Sequence, residues 1–281
     1  MITPDEVSSG CFSRSPATLD NYERAATRVD PRAWCAMKIA IVSDIHANLA
    51  ALQALPQDYD QLWCVGDLVD YGPRPVEVIA GIRGQAKVIV SGNHDYAVSN
   101  NADPQCSPRF RRLAAETMRC TRGLCSEEEL VFLRSLPRHR EIAVDSTRFY
   151  LVHATPTDPL FAYCPEESDR WMREVAAARA DVLVVGHSHT PFIRKVGSTT
   201  VLNPGSLGQP KTGRSLACYG LWEDGKISLK EYEYPLDETI RDIRAMRLAR
   251  QDQEALIAVL KTGTLPDAHS PLSPAMHEDR K

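Results

Sequence analysis

Five of the eight histidines, His46, His94, His153, His187 and His189, stand where strand-like apolar runs end. Asp44, Asp67, Asn93 and Asp95 stand at the same kind of position. In Asp44-Ile-His46 a hard oxygen ligand and a nitrogen ligand lie two residues apart, which is half of a metal site. Gly186-His-Ser-His189 repeats that spacing with two imidazoles. On an extended backbone, residues i and i+2 point to the same side. Gly66-Asp67 adds a carboxylate. Gly92-Asn-His-Asp95 adds a neutral oxygen ligand, a titratable donor and a carboxylate that can orient that donor. Taken singly, each reads equally well as a turn or a hydrogen-bonded structural residue. As a set they do not, because open α/β sheets carry their ligand sites at the carboxyl ends of strands.

The elements that must position these residues follow from the apolar pattern. Short β-branched runs at 38–42, 61–65 and 87–90 alternate with helical stretches at 48–55 and 75–83. Asn48 is placed as an N-cap, Pro75 sits in a first helical turn, and Gly84 is expected to close that helix. Strands separated by helices predict β-α-β units and an α/β fold with a parallel core. The segment 99–140 reads as helical, with helices at 108–121 and 126–135, the second opened by the capping box from Ser126 to Glu129. It is expected to sit over or beside the sheet as a cap. Further strands read at 141–144, 147–152 and 181–185, with a helix at 166–179. Hairpin strands follow at 192–196, 200–202, 215–222 and 226–232, and one long helix at 236–261. This places the functional domain at 37–261, with Met37 as its expected start. A poorly ordered extension is expected over 1–36 and a disordered tail over 262–281.

The 281-residue chain carries a net charge of −4 with a pI near 6.1, so no basic footprint for long nucleic acid is present. No run approaches the roughly 20 apolar residues of a membrane span. Residues 1–36 lack the apolar core of a secretory signal. The eight cysteines include no C-x-x-C pair and read as reduced thiols of a cytoplasmic protein.

Asp44-x-His46, Gly66-Asp67, Gly92-Asn-His-Asp95, the lone His153 and Gly186-His-x-His189, in this order, resemble the calcineurin-like metallophosphoesterase superfamily over 37–232. Asp44-Ile-His-Ala-Asn-Leu49, Tyr71-Gly-Pro73 and Asn203-Pro-Gly-Ser206 look like its small prokaryotic phosphodiesterase branch. The resemblance implies a four-layer α/β/β/α sandwich of two mixed sheets, with 99–140 as a small helical cap-like insertion. It implies two divalent transition metal ions, for which the mixed oxygen and nitrogen donors suit Mn, Fe, Zn or Co. Asp44, His46 and His189 would hold the first, Asn93, His153 and His187 the second, and Asp67 would bridge them. A metal-bridging hydroxide would attack phosphorus, with His94 as the catalytic acid or charge stabiliser and Asp95 orienting it.

The expected reaction is hydrolysis of a phosphodiester bond in a small nucleotide-like substrate. A dinucleoside polyphosphate or a phosphomonoester is the alternative substrate. A binding scaffold that has lost catalysis is the competing class, and the presence of every ligand weighs against it. Arg74, Lys211 and Arg214 are cations that could meet a second phosphate or a nucleotide, and each reads first as a solvated surface charge. The loop 203–210 reads as a tight turn or as a substrate rim, and Leu160-Phe-Ala-Tyr163 as a flank for a base or as a loop anchor. A homodimer through 99–140 or the C-terminal helix stays open.

Overall fold

Lys38–Val42 (β1) is apolar along its whole length because both of its faces are covered. Ile39 and Ile41 point into one core with Trp63, Phe149, Leu151, Val184 and Trp222. Ala40 and Val42 point into another, with Leu52, Leu62, Val78, Ile79 and Ile82. The structure, a computed structural model, describes residues 37–265. The expected 1–36 extension lies outside the described residues, as does the expected 262–281 tail beyond residue 265, while Thr262 still belongs to the last helix.

After β1 come Leu49–Gln53 (α1), Gln61–Cys64 (β2), Pro75–Gln85 (α2) and Ala86–Ile89 (β3). Three helices follow, Asn93–Asn100 (α3), Arg111–Leu124 (α4) and Glu127–Ser135 (α5). His139–Val144 (β4) pairs with Thr147–Val152 (β5), and Trp171–Ala178 (α6) leads to Val182–Val184 (β6). Two hairpins follow, Phe192–Val196 (β7) with Thr199–Asn203 (β8) and Ala217–Glu223 (β9) with Lys226–Tyr232 (β10). Leu236–Ala245 (α7) and Arg250–Thr262 (α8) complete the described chain.

The strands form two five-stranded mixed sheets, ordered β10-β9-β1-β2-β3 and β4-β5-β6-β8-β7. In the first sheet β1, β2 and β3 are parallel, and in the second β5, β6 and β8 are parallel. Strand β9 runs antiparallel between β10 and β1, and β4 and β7 are antiparallel edge strands of the second sheet. The two sheets face each other across Ile39, Ile41, Trp63, Phe149, Leu151 and Val184. Here the Trp63 and Phe149 rings meet edge to face at 5.1 Å. Helices α1, α2 and α5 cover the outside of the first sheet, and α6 covers the second through Trp171 and Ala178. The expected α/β/β/α sandwich is therefore the observed one.

Several local expectations change. The segment 93–100 is a helix that the apolar pattern does not announce. Its first turn is Asn93-His-Asp95, so polar chemistry hides the helix, although Asp95 caps it by accepting from Gly92 N at 3.0 Å. Helix α2 runs through Gly84 to Gln85 and straight into β3. Helix α6 begins at Trp171 and not at 166, because the preceding turn is held by the Trp171 indole N–H donating to Pro165 O at 2.9 Å. The long helix predicted at 236–261 is two helices, broken where Met246 turns extended. The break lets Ile240 and Ile243 of α7 and Leu256 and Leu260 of α8 share one cluster with Leu113 of α4.

The segment 99–140 also divides. Its α4 joins the α7–α8 cluster and Tyr71, while Leu130 and Leu133 of α5 pack on the outer face of the first sheet. Among the described residues, no helix is long and apolar enough to cross a membrane.

Candidate metal centre

Every predicted ligand follows a parallel strand. Asp44 and His46 follow β1, Asp67 follows β2, Asn93 follows β3, His153 follows β5, and His187 and His189 follow β6. Parallel neighbours end at the same side of a sheet, so these side chains gather at one rim. The extended-backbone argument for the i, i+2 pairs does not hold. Asp44, His46, Asp67, His187 and His189 all have positive φ, from 47° to 67°. Asp and His tolerate this left-handed region better than most residues, and such strain concentrates at functional sites. The pairs converge through left-handed turns beyond the strands.

The glycines before the ligands allow a close approach. A side chain at Gly92 would put its Cβ 2.0 Å from Asp67 Oδ1, and one at Gly186 would put it 2.9 Å from Asp44 Oδ2.

The donor set fits a cation. His46 Nδ1 donates to Val69 O at 3.1 Å and His189 Nδ1 to Gln209 O at 2.6 Å, because a carbonyl only accepts. Burial holds both rings well below the usual histidine range, so they are neutral. Their Nε2 lone pairs then face each other at 3.2 Å. Asp44 Oδ1, buried and without a hydrogen-bond donor, lies 3.2 Å from His189 Nε2. Lone pairs converging in a buried space need positive charge between them. Burial, together with the Asp67 carboxylate, pushes Asp44 up to about 6, the response of an anion missing its counter-charge.

A second convergence surrounds Asn93. Its amide N–H donates to Pro104 O at 2.7 Å, which turns Oδ1 inward. That oxygen stands 3.0 Å from His153 Nε2 and 3.0 Å from His187 Nδ1. His153 Nδ1 donates to Val65 O at 2.8 Å. Burial opposes a charge on His153, but Asp67 and Asp44 outweigh it and lift the ring up to about 9. Asp67 lies between the two groups, with Oδ2 3.3 Å from His153 Nε2 and 3.7 Å from His46 Nε2. Asp44, His46 and His189, and likewise Asp44, Asp67 and His153, offer ligand atoms within 4.8 Å of one another.

His94 and Asp95 separate in role. Asp95 does not touch the His94 ring. Its two oxygens accept the backbone N–H groups of Gly92, Asp67, Leu68 and Val69, at 2.8 to 3.3 Å. It therefore shapes the Asp67 turn. The partner of His94 is Asp70, whose Oδ2 accepts from Nδ1 at 2.7 Å, while Thr117 on α4 donates to Oδ1 at 2.5 Å. Burial lowers the His94 pKa, but Asp67 and Asp70 raise it further, so the net shift is upward. Sequence reasoning missed Asp70. Its signal was a second carboxylate three residues after Asp67, inside an otherwise apolar stretch.

The three predicted cations also separate. Arg74 makes a two-pronged pair with Asp242 at 2.7 and 2.8 Å, and Arg214 pairs with Glu231 at 2.9 Å, so both are committed elsewhere. Lys211 is half-buried, its ammonium 4.7 Å from the centre of the Phe110 ring. The 203–210 loop braces the ligand turns. Ser206 Oγ donates to Asp44 O at 2.7 Å, Leu207 N to Ser43 O at 2.9 Å, and Gln209 O orients His189. In the 160–163 loop, Phe161 packs on Tyr96, while Tyr163 is 63% exposed with its ring 6.5 Å from His187.

Two facing mixed sheets, with buried carboxylates, imidazoles and an amide gathered at one strand-end rim, define a metal-dependent phosphoesterase. The chain belongs to the calcineurin-like phosphoesterase superfamily, whose domain matches residues 37–223. It is 32% identical over 234 residues to an uncharacterised protein of Methanocaldococcus jannaschii, covering 75% of this chain and 93% of that one. It is 27% identical over 201 residues to phosphodiesterase YfcE of Escherichia coli, covering 69% and 91%. The crystal structure of a metallophosphoesterase from Sphaerobacter thermophilus superposes with a TM-score of 0.67 at 29% identity, covering 80% and 99%.

Proposed function

We propose that the chain is a two-metal phosphohydrolase that cleaves a phosphodiester bond of a small nucleotide-like substrate. The observation that carries this reading is the pair of lone-pair convergences that share Asp67, which lies between them. Asp44, His46 and His189 would hold one ion, Asn93, His153 and His187 the other, and Asp67 both. Oxygen and nitrogen donors without thiolate suit Mn, Fe, Zn or Co. When bound, two such ions supply a nucleophile at neutral pH and positive charge for the phosphoryl oxygens.

The protein's own groups do the rest. Val69, Gln209 and Val65 carbonyls fix the ring tautomers of His46, His189 and His153, so each presents Nε2 to the centre. Asp70 fixes His94 in the same way and favours its charged form, so Nε2–H can protonate the leaving oxygen. Pro104, Phe110 and Thr117 bring the loop before α4, and α4 itself, to this rim.

The likeness to the Escherichia coli phosphodiesterase supports a diester over a monoester. A metal count by mass spectrometry, with a panel of mono- and diesters, cyclic nucleotides and dinucleoside polyphosphates under one activating metal, tests the reading. Two ions per chain and fastest turnover of a diester are expected. No bound metal and no hydrolysis with any divalent ion would leave the binding scaffold as the better description.

A further inference from the structure

Of the Phe, Tyr and Trp side chains among the described residues, Tyr163 alone is exposed, at 63%. It also stands beside the candidate metal centre. Its ring centre lies 6.5 Å from that of His187, with the two rings inclined at 64°. His187 is one of the two imidazoles that meet Asn93 Oδ1. The one aromatic face offered to solvent therefore adjoins the place where a phosphate would be held.

Tyr163 is not what holds its own loop. The chain after His153 turns back at once, with Ala154 N donating to Pro159 O at 3.0 Å and Thr155 and Asp158 exchanging backbone bonds at 3.1 and 3.2 Å. Phe161 N donates to Asp158 Oδ1 at 3.2 Å, and Glu174 accepts from Thr157 N at 2.9 Å. Leu160, Ala162 and Cys164 are buried. Phe161 is the aromatic anchor, because its ring meets that of Tyr96 on α3 at 6.1 Å. With 160, 162 and 164 turned inward, 163 is carried outward on a braced backbone. A Tyr ring presented in this way has only two side-chain torsions to fix on binding, so it gives a large contact at low entropic cost. One free ring offers room for one planar group, and a nucleobase stacks on such a ring whatever its sequence identity.

We infer that Tyr163 is a specificity residue that stacks on a nucleobase of the substrate, so that the preferred substrate is a phosphodiester with a nucleoside on one ester arm. This rests on the phosphohydrolase reading above and narrows its substrate class. Stacking reads the face of a base and not its hydrogen-bonding edge, so Tyr163 selects for a base without selecting which one.

The test uses a matched pair, adenosine 5′-(methyl phosphate) and the same diester with the base replaced by a methoxy group. The reacting phosphate is identical in the two. The metal-loaded wild-type protein should favour the base-bearing diester by roughly tenfold or more in kcat/KM, within the range of one base–aromatic stack. In Tyr163→Ala that ratio should fall to about one, through KM and not kcat, and Tyr163→Phe should retain most of it. The uridine diester should show the same dependence on Tyr163. Binding is also read without turnover, by calorimetry on metal-loaded His94→Gln and on the double variant with Tyr163→Ala. The affinity ratio for the two diesters should collapse in the double variant. No preference in the wild type, a preference that survives in Tyr163→Ala, or an equal loss on both diesters in that variant overturns the inference. If the wild type hydrolyses neither diester with any metal, the hydrolase reading fails. The calorimetric ratio then still decides the base site, and a ratio of about one overturns it.

Discussion

His94 meets Asp70 and not Asp95 because the two carboxylates face different groups. Asp95 opens α3 and turns back onto four backbone N–H groups, so no oxygen is left for the imidazole. Asp70 comes from the turn after β2 at φ 74° and reaches His94 Nδ1 from the other side. The two residues should therefore fail differently. Asp70→Asn keeps the shape but loses a charge that, after Asp67, raises the His94 pKa. It should lower kcat by about 10- to 100-fold with metal content unchanged, as for other groups that orient an active-site histidine. The sign of the pH effect follows. Asp70 raises the His94 pKa, and a general acid works below its pKa, so activity falls as pH rises through that value. Removing Asp70 should move this alkaline limb to lower pH, and a pH–rate profile of both proteins checks it. Asp95→Asn should instead lose bound metal, because the Asp67 turn loses its acceptor. Equal metal loss in both variants would sink the distinction.

At the scale of elements, the ligands sit on turns that follow parallel strands, and the motif glycines are there for space. Gly92 touches the Asp67 carboxylate so closely that a methyl group has nowhere to go. Gly92→Ala should destabilise the fold by more than about 2 kcal/mol and abolish metal binding, a large effect with the named cause of overpacking at a strained turn. Thermal unfolding and metal analysis read the two effects separately. An unchanged midpoint with full metal occupancy would mean that the turn can shift. The 203–210 loop belongs to this scale as well. Its hydroxyl, N–H and carbonyl groups hold the backbone of Ser43 and Asp44 and the ring of His189, so its Pro and Gly residues serve the ligand frame. Helix α4 contributes through Thr117 and Phe110 to the His94 and Lys211 surroundings, whereas α5 is part of the sandwich wall.

At the scale of the whole molecule, the centre is a seam between two sheets. The first sheet supplies Asp44, His46, Asp67 and Asn93, and the second supplies His153, His187 and His189. Metal binding should therefore tie the two halves together. Chelation should lower the unfolding temperature, and adding back a divalent ion should restore it in a concentration-dependent way, as binding to the native state alone requires. Phe149→Ala, in the core between the sheets, should reduce stability by about 3 to 5 kcal/mol and weaken metal affinity too, because it loosens the sheet-to-sheet distance. Full affinity in that variant would show that the rim holds its geometry without the core.

The sequence by itself determined where the strand-like runs lie, the strand–helix alternation that gives a parallel core, and which polar residues follow the strand ends, whereas the two facing sheets came from the family resemblance. The first three are local facts: a β-branched run stops, and a carboxylate, amide or imidazole follows. Asn48 as a cap, the Ser126 capping box and the 192–196 and 226–232 strands were legible for the same reason. Helix α3 was not, because its first turn is made of functional polar residues, and neither was the break between α7 and α8, which serves a cluster built with α4. Tertiary structure alone decided which carboxylate meets His94, which of three similar cations are paired away in ion pairs, and that the i, i+2 pairs converge through left-handed turns. Each of these depends on a contact between residues far apart in the chain, such as Thr117 with Asp70, Arg74 with Asp242 or Gln209 with His189. Residue type announces what a side chain can do, and only packing fixes which partner it meets.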